Sequence, residues 1–63
     1  MKITTRFETE VEFLSASGDF DSGDVVVKSR RLSDGKEYEY PIWEYRTEGG
    51  MNDLMAEAKK VKV

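Results

Sequence analysis

The sequence predicts an α+β domain: a three-stranded antiparallel meander with one C-terminal α-helix packed on one face. Three observations predict it. Apolar and polar residues alternate from Ile3 to Phe13, Asp34-Gly35 separates two strand-like runs, and Met51, Leu54, Met55, Ala58 and Val61 recur at helical spacing.

The first strand is expected near residues 2–14. Its odd positions read Ile3, Thr5, Phe7, Thr9, Val11 and Phe13, and its even positions Thr4, Arg6, Glu8, Glu10 and Glu12. Such alternation buries one face of an extended chain, and the β-branched and aromatic content agrees. Ser15 to Asp24 is rich in Ser, Gly and Asp and reads as a surface loop.

The second and third strands are expected near 24–32 and 37–46. Asp-Gly between them favours a two-residue type I′ turn, in which both central residues take positive φ. That register sets Val25/Glu44, Val27/Ile42, Ser29/Tyr40 and Arg31/Tyr38 on one face, and Val26/Trp43, Lys28/Pro41, Arg30/Glu39 and Leu32/Glu37 on the other. Pro41 lacks an N–H, which suits an edge strand. Gly49-Gly50 ends the sheet. The helix from about 51 to 61 carries Asp53 and Glu57 early and Lys59 and Lys60 late, the order its dipole favours, with Gly50 or Asn52 as its cap. It is expected to cover Phe7, Val11, Phe13, Val27, Tyr40 and Ile42. Lys60 to Val63 also alternates, which leaves a terminal strand open.

At 63 residues the chain reads as one small domain, 1–63, with a thin core that a partner or a second copy would support. Cysteine and histidine are both absent, which removes disulfides, thiolate nucleophiles and the commonest zinc ligands and general base. No catalytic residue, metal site or cofactor is therefore expected, and no enzyme. The first residues lack the apolar run of an export signal, and no stretch suits a membrane, so the expected location is the cytoplasm. A net charge of −3 opposes a general affinity for nucleic acid or anionic lipid.

Four groupings invite a functional reading. Asp19-Phe20-Asp21-Ser22-Gly23-Asp24 looks like a calcium loop, but Asp24 and Arg30 stand where an EF-hand needs glycine and glutamate. Arg30-Arg31-Leu32-Ser33 matches a basic kinase-recognition motif, yet its serine opens a tight turn. Lys28, Arg30 and Arg31 beside Tyr38, Tyr40, Trp43 and Tyr45 suggest a platform for single-stranded nucleic acid, with Glu37, Glu39 and Glu44 interleaved against it. Glu8, Glu10 and Glu12 form a row spaced about 6.8 Å apart on one side of a strand, close to the spacing of phosphates. Beside the second strand the row meets Lys28 and Arg30 and becomes a charge ladder; beside the third it crowds Glu37 and Glu39 into an acidic surface.

The expected function is a small acidic protein-binding module, an inhibitor or adaptor of another protein, of the DNA-mimic type if the glutamate row is unpaired. Its contact residues are Trp43, Tyr45 and Val26 on the outer face, with Glu8, Glu10, Glu12 and Glu39. The expected partner is a protein, such as a DNA-binding protein or an enzyme, or a second copy of the chain. The alternative is a single-strand nucleic-acid binder using Lys28, Arg30 and Arg31. Asp34-Gly35-Lys36-Glu37-Tyr38 in a small acidic format resembles phage-encoded inhibitors of host DNA enzymes. That likeness spans a few turn and strand residues and carries over no functional residue.

Overall fold

The computed structural model describes residues 1–63. It contains five strands rather than three, although the α+β class and the C-terminal helix hold. The strands are β1 (Ile3–Thr5), β2 (Glu10–Asp19), β3 (Asp24–Arg31), β4 (Glu37–Pro41) and β5 (Tyr45–Thr47), with a single 3₁₀ turn at Ile42–Glu44 and a helix, α1, at Met51–Lys60. All neighbours are antiparallel in the order β4-β3-β2-β1-β5. The chain thus runs as a meander from β1 to β4, then crosses to the opposite edge to form β5. Pro41 lies on an edge strand, as expected of a residue without an N–H.

The stretch expected as one strand at 2–14 folds back on itself. Thr5 N–H donates to Thr9 C=O at 2.9 Å, and Thr5 Oγ1 accepts the amides of Phe7 at 3.2 Å and Thr9 at 3.4 Å. A threonine hydroxyl holds the turn in place of glycine or proline. Ile3 then pairs with Val11, odd with odd, so the alternation passes through the hairpin without a break. Phe7, expected in the core, sits at the tip.

The loop expected at Ser15–Asp24 is also corrected. Ser15 to Asp19 continue β2, and the ladder shifts register between Phe13 and Ser15, leaving Leu14 as the extra residue of a bulge. Beyond it the inward positions switch from odd to even, to Ala16 and Gly18. Both are small for local reasons: Ala16 is buried, and a side chain on Gly18 would strike Asp24 C=O. Asp19 closes the turn by accepting the amides of Asp21 at 2.9 Å and Ser22 at 3.3 Å.

The β3–β4 hairpin is shifted by two residues from the expected register: Val27 faces Tyr40 and Ser29 faces Tyr38. Only Gly35 takes positive φ, at 80°, so a type I′ turn does not form. Instead a four-residue loop is closed by Gly35 N–H to Arg31 C=O at 2.8 Å and Arg31 N–H to Lys36 C=O at 2.7 Å. Asp34 selects this loop, because its carboxylate accepts the Lys36 amide at 3.0 Å and Arg31 Nε at 2.8 Å. A two-residue shift leaves the side chains of β3 and β4 on their expected faces.

The core is nine apolar residues: Ile3, Val11, Ala16, Val25, Val27, Ile42, Tyr45, Leu54 and Ala58. Tyr45 is the largest and is 0% exposed. Its phenol donates to Val27 C=O at 3.1 Å and lies 2.8 Å from Ser29 Oγ, itself fully buried. Around it Phe13 packs edge-on at 5.0 Å and Tyr40 at 6.2 Å. Burial pushes the Tyr45 phenol pKa up, against the Ser29 hydrogen bond. The helix starts at Gly50 and buries Leu54 and Ala58. Past it, Ala16 N–H donates to Val61 C=O and Val63 N–H to Ala16 C=O, both at 3.0 Å, so the tail pairs with β2 at one residue and forms no full strand.

Two predictions follow from these contacts. Tyr45→Phe strands the Ser29 hydroxyl and one Val27 acceptor in the core; it is expected to cost about 1–3 kcal/mol, read as the urea midpoint, with Ser29→Ala/Tyr45→Phe costing less than the sum of the single changes. The Asp34 carboxyl is held far below the usual carboxylate range by Arg31 first and the Lys36 amide second. A pKa depressed on folding contributes stability above the unfolded value, about 4, and the contribution is lost as pH falls below it. The urea midpoint should therefore drop on acidification from about pH 4 downward, and Asp34→Asn should flatten part of that slope.

Candidate functional site

Most of the outer surface is a neutralised ladder. On β2, β3 and β4, Glu12 Oε1 lies 2.6 Å from Arg30 Nη2, and Lys28 Nζ lies 3.4 Å from Glu37 Oε1. Arg30 also stands opposite Glu37 and Lys28 opposite Glu39, so carboxylates and cations alternate across three strands. Arg31 is bridged to Asp34, which completes the pairing of all three cations expected at a nucleic-acid face. These pairs are half exposed and add little stability each. Their effect is to cancel the local field.

The glutamate row is broken. Glu8 lies in the β1–β2 turn at φ 66°, while Glu10 and Glu12 lie on β2, with Glu10 3.8 Å from Lys2 and Glu12 on Arg30. A turn cannot continue the strand spacing, so no run of three exists.

The expected outer patch of Val26, Trp43 and Tyr45 is also redistributed. Val26 stays on the outer face, but between Ser17 and Pro41. Trp43 occupies the 3₁₀ turn and is 57% exposed. Tyr45 is corrected from contact to core residue. With three residues per turn, Ile42 and Tyr45 fall on the same side, so strand alternation across Trp43 does not hold.

The turn brings Trp43 beside a residue that alternation assigned to the interior. Arg6 N–H donates to Glu44 C=O at 2.8 Å, which extends the β1–β5 ladder by one step. Phe7 and Trp43 are the next residues on either side of that contact, so their Cα atoms lie within roughly 13 Å. Phe7 is 73% exposed. Between them, Arg6 Nε lies 3.1 Å from Glu44 Oε2, and the Arg6 guanidinium sits 4.9 Å from the Phe7 ring centre. Arg46 Nη1 donates to Trp43 C=O at 2.6 Å and to Tyr45 C=O at 2.9 Å, fixing the turn from behind. The result is a rim of two exposed rings on a scaffold of arginine contacts. Phe7 left no sequence signal for this role, because its odd position matched its core neighbours.

Two open clefts flank the sheet. One, of about 370 Å³, is lined by Lys2, Thr4, Arg46, Thr47 and Glu48, and the other, of about 520 Å³, by Thr9, Glu10, Arg31, Leu32 and Ser33. No helix is long and apolar enough to cross a membrane. No family model, curated protein or solved structure matches the chain.

Glu8 reads better as the corner of this rim than as part of an acidic row. A left-handed backbone costs an L-residue about 1–2 kcal/mol, and glycine returns part of any gain as chain entropy. Glu8→Gly is therefore expected to hold or raise stability, by up to about 1 kcal/mol, in urea denaturation. A fall instead would show that the Glu8 side chain makes a contact the turn needs.

Proposed function

We propose that the chain is a small protein-binding module, acting as an inhibitor or adaptor, that grips its partner with Trp43 and Phe7. One observation carries this reading. A domain with nine buried apolar residues leaves its only tryptophan and one of its three phenylalanines in water, each next to a residue of the Arg6–Glu44 backbone contact. Tryptophan and arginine are the residues most enriched where binding energy concentrates, and Arg6 and Arg46 hold this rim in place. Preorganised rings lose little entropy on docking.

The ladder argues for protein over nucleic acid as the partner. With Lys28, Arg30 and Arg31 each on a carboxylate, a strand of phosphates would have to displace three pairs in a chain of net charge −3. A DNA-mimic mode would need the glutamate row that the β1–β2 turn interrupts. A second copy of the chain is the remaining occupant of the rim.

Truncating Trp43 tests the reading. Trp43→Ala and Phe7→Ala should keep the wild-type circular-dichroism spectrum and melting profile. Each should weaken the complex with a partner captured by the wild-type chain, Trp43→Ala by about 2 kcal/mol or more, some thirtyfold. If self-association is the use, the native mass should fall to that of the monomer. Folded variants that retain every partner and the native mass would refute the proposal.

A further inference from the structure

The cleft next to the rim holds an arginine that no carboxylate pairs. Of the four arginines, Arg6, Arg30 and Arg31 each lie on a carboxylate, and only Arg46 has none within ion-pair distance. Its Nη1 is fixed by Trp43 C=O and Tyr45 C=O, which leaves Nε and Nη2 for another acceptor. Thr4 stands opposite Arg46 in the β1–β5 ladder, and Lys2, Thr47 and Glu48 complete the cleft. Ile3, Thr5 and Tyr45 point inward, so Lys2, Thr4, Arg46 and Glu48 fall on the outer face of the two strands, with Thr47 at the cleft's edge.

We propose that this cleft receives a carboxylate from the protein partner, with Arg46 as its principal ligand and Trp43 covering the apolar residue beside it. The proposal rests on the protein-binding reading above and names the partner's chemistry: an acidic side chain next to an apolar one in a single segment. A guanidinium held by two carbonyls presents its remaining donors as a fork, the geometry a carboxylate accepts in two hydrogen bonds. Arg46 Nη1 lies 2.6 Å from Trp43 C=O, which sets the cleft next to the turn that carries the tryptophan. Lys2 adds a second cation, although Glu10 lies 3.8 Å from it. Glu48, which lines the same cleft, opposes the incoming charge. A single carboxylate tolerates that mixture, whereas a run of phosphates would meet Glu10, Glu44 and Glu48 as well.

The opposing carboxylate makes the test two-sided. A random dodecapeptide library is panned on the intact immobilised chain, and the selected consensus is synthesised with its acidic residue intact and as the Asn or Gln amide. Titration calorimetry then compares wild type, Trp43→Ala, Arg46→Gln, Arg46→Lys and Glu48→Gln, each confirmed folded by circular dichroism. The wild type is expected to select Asp or Glu beside an apolar residue and to bind the acidic peptide about tenfold more tightly than its amide. Arg46→Gln should erase that preference, Arg46→Lys should restore part of it, and Glu48→Gln should strengthen acidic-peptide binding.

Equal affinity for the two peptides, or an acidic preference that survives in Arg46→Gln, overturns the carboxylate assignment while leaving the Trp43 rim standing. Competition by oligothymidylate in preference to the acidic peptide overturns it in favour of phosphate. Selected peptides that bind Trp43→Ala as well as wild type, or no enrichment over a blank surface, overturn both readings.

Discussion

The Tyr45 hydroxyl joins parts of the sheet that its strand order keeps apart. Tyr45 belongs to β5, at one edge next to β1, yet its phenol donates to Val27 C=O and meets Ser29 on β3, with β1 and β2 between them. A flat sheet cannot make that contact. The sheet must curl until the inner face of β5 looks onto β3, and the ring fills the space so enclosed against Phe13 and Tyr40. The connection from β4 then has to pass beneath the curl in very few residues, which the 3₁₀ turn at Ile42–Glu44 achieves. Ile42 and Tyr45 are drawn inward together and Trp43 is turned out. Exposure of the tryptophan is thus a geometric result of burying its neighbours.

Period-two patterning located inward and outward faces well but located strand ends poorly, and particular residues show why. A hairpin that pairs Ile3 with Val11 preserves parity, so the same alternation describes one long strand or two short ones. The distinction rests on Thr5, whose hydroxyl does work that sequence reading assigns to glycine or asparagine. The bulge at Leu14 reversed the parity of β2 and made Ser15 to Asp19 look irregular. Asp34-Gly35 was correctly a turn, but the Asp34 carboxylate favoured Arg31 and the Lys36 amide over a left-handed backbone. Val26, Val27 and the helix positions Leu54 and Ala58 were legible because nothing interrupts their periodicity. The rim was half legible: Trp43 was found, while Phe7 and the burial of Tyr45 depend on a long-range crossing.

Charge is arranged on the same logic. The ladder of Glu12, Arg30, Glu37, Lys28 and Glu39 gives a water-seeking surface with little net field, which suits a domain whose stability rests on a small core. The β1–β5 side departs from it, since Arg46 is held by carbonyl oxygens and pairs with no carboxylate. Arg46 is the one arginine of the sheet held by backbone alone, close to the turn that exposes Trp43.

The position of Pro41 has a consequence for how copies of this molecule meet at high concentration. Arg31 N–H donates to Lys36 C=O, so along β4 the backbone groups of Tyr38 and Tyr40 turn toward β3 and those of Glu37, Glu39 and Pro41 turn outward. One of these three positions has no hydrogen to donate, and the other two carry carboxylates. A foreign strand seeking to extend the ladder would find few donors and a like charge from its own copy. The amino acids that line this border disfavour fibrillar growth along it.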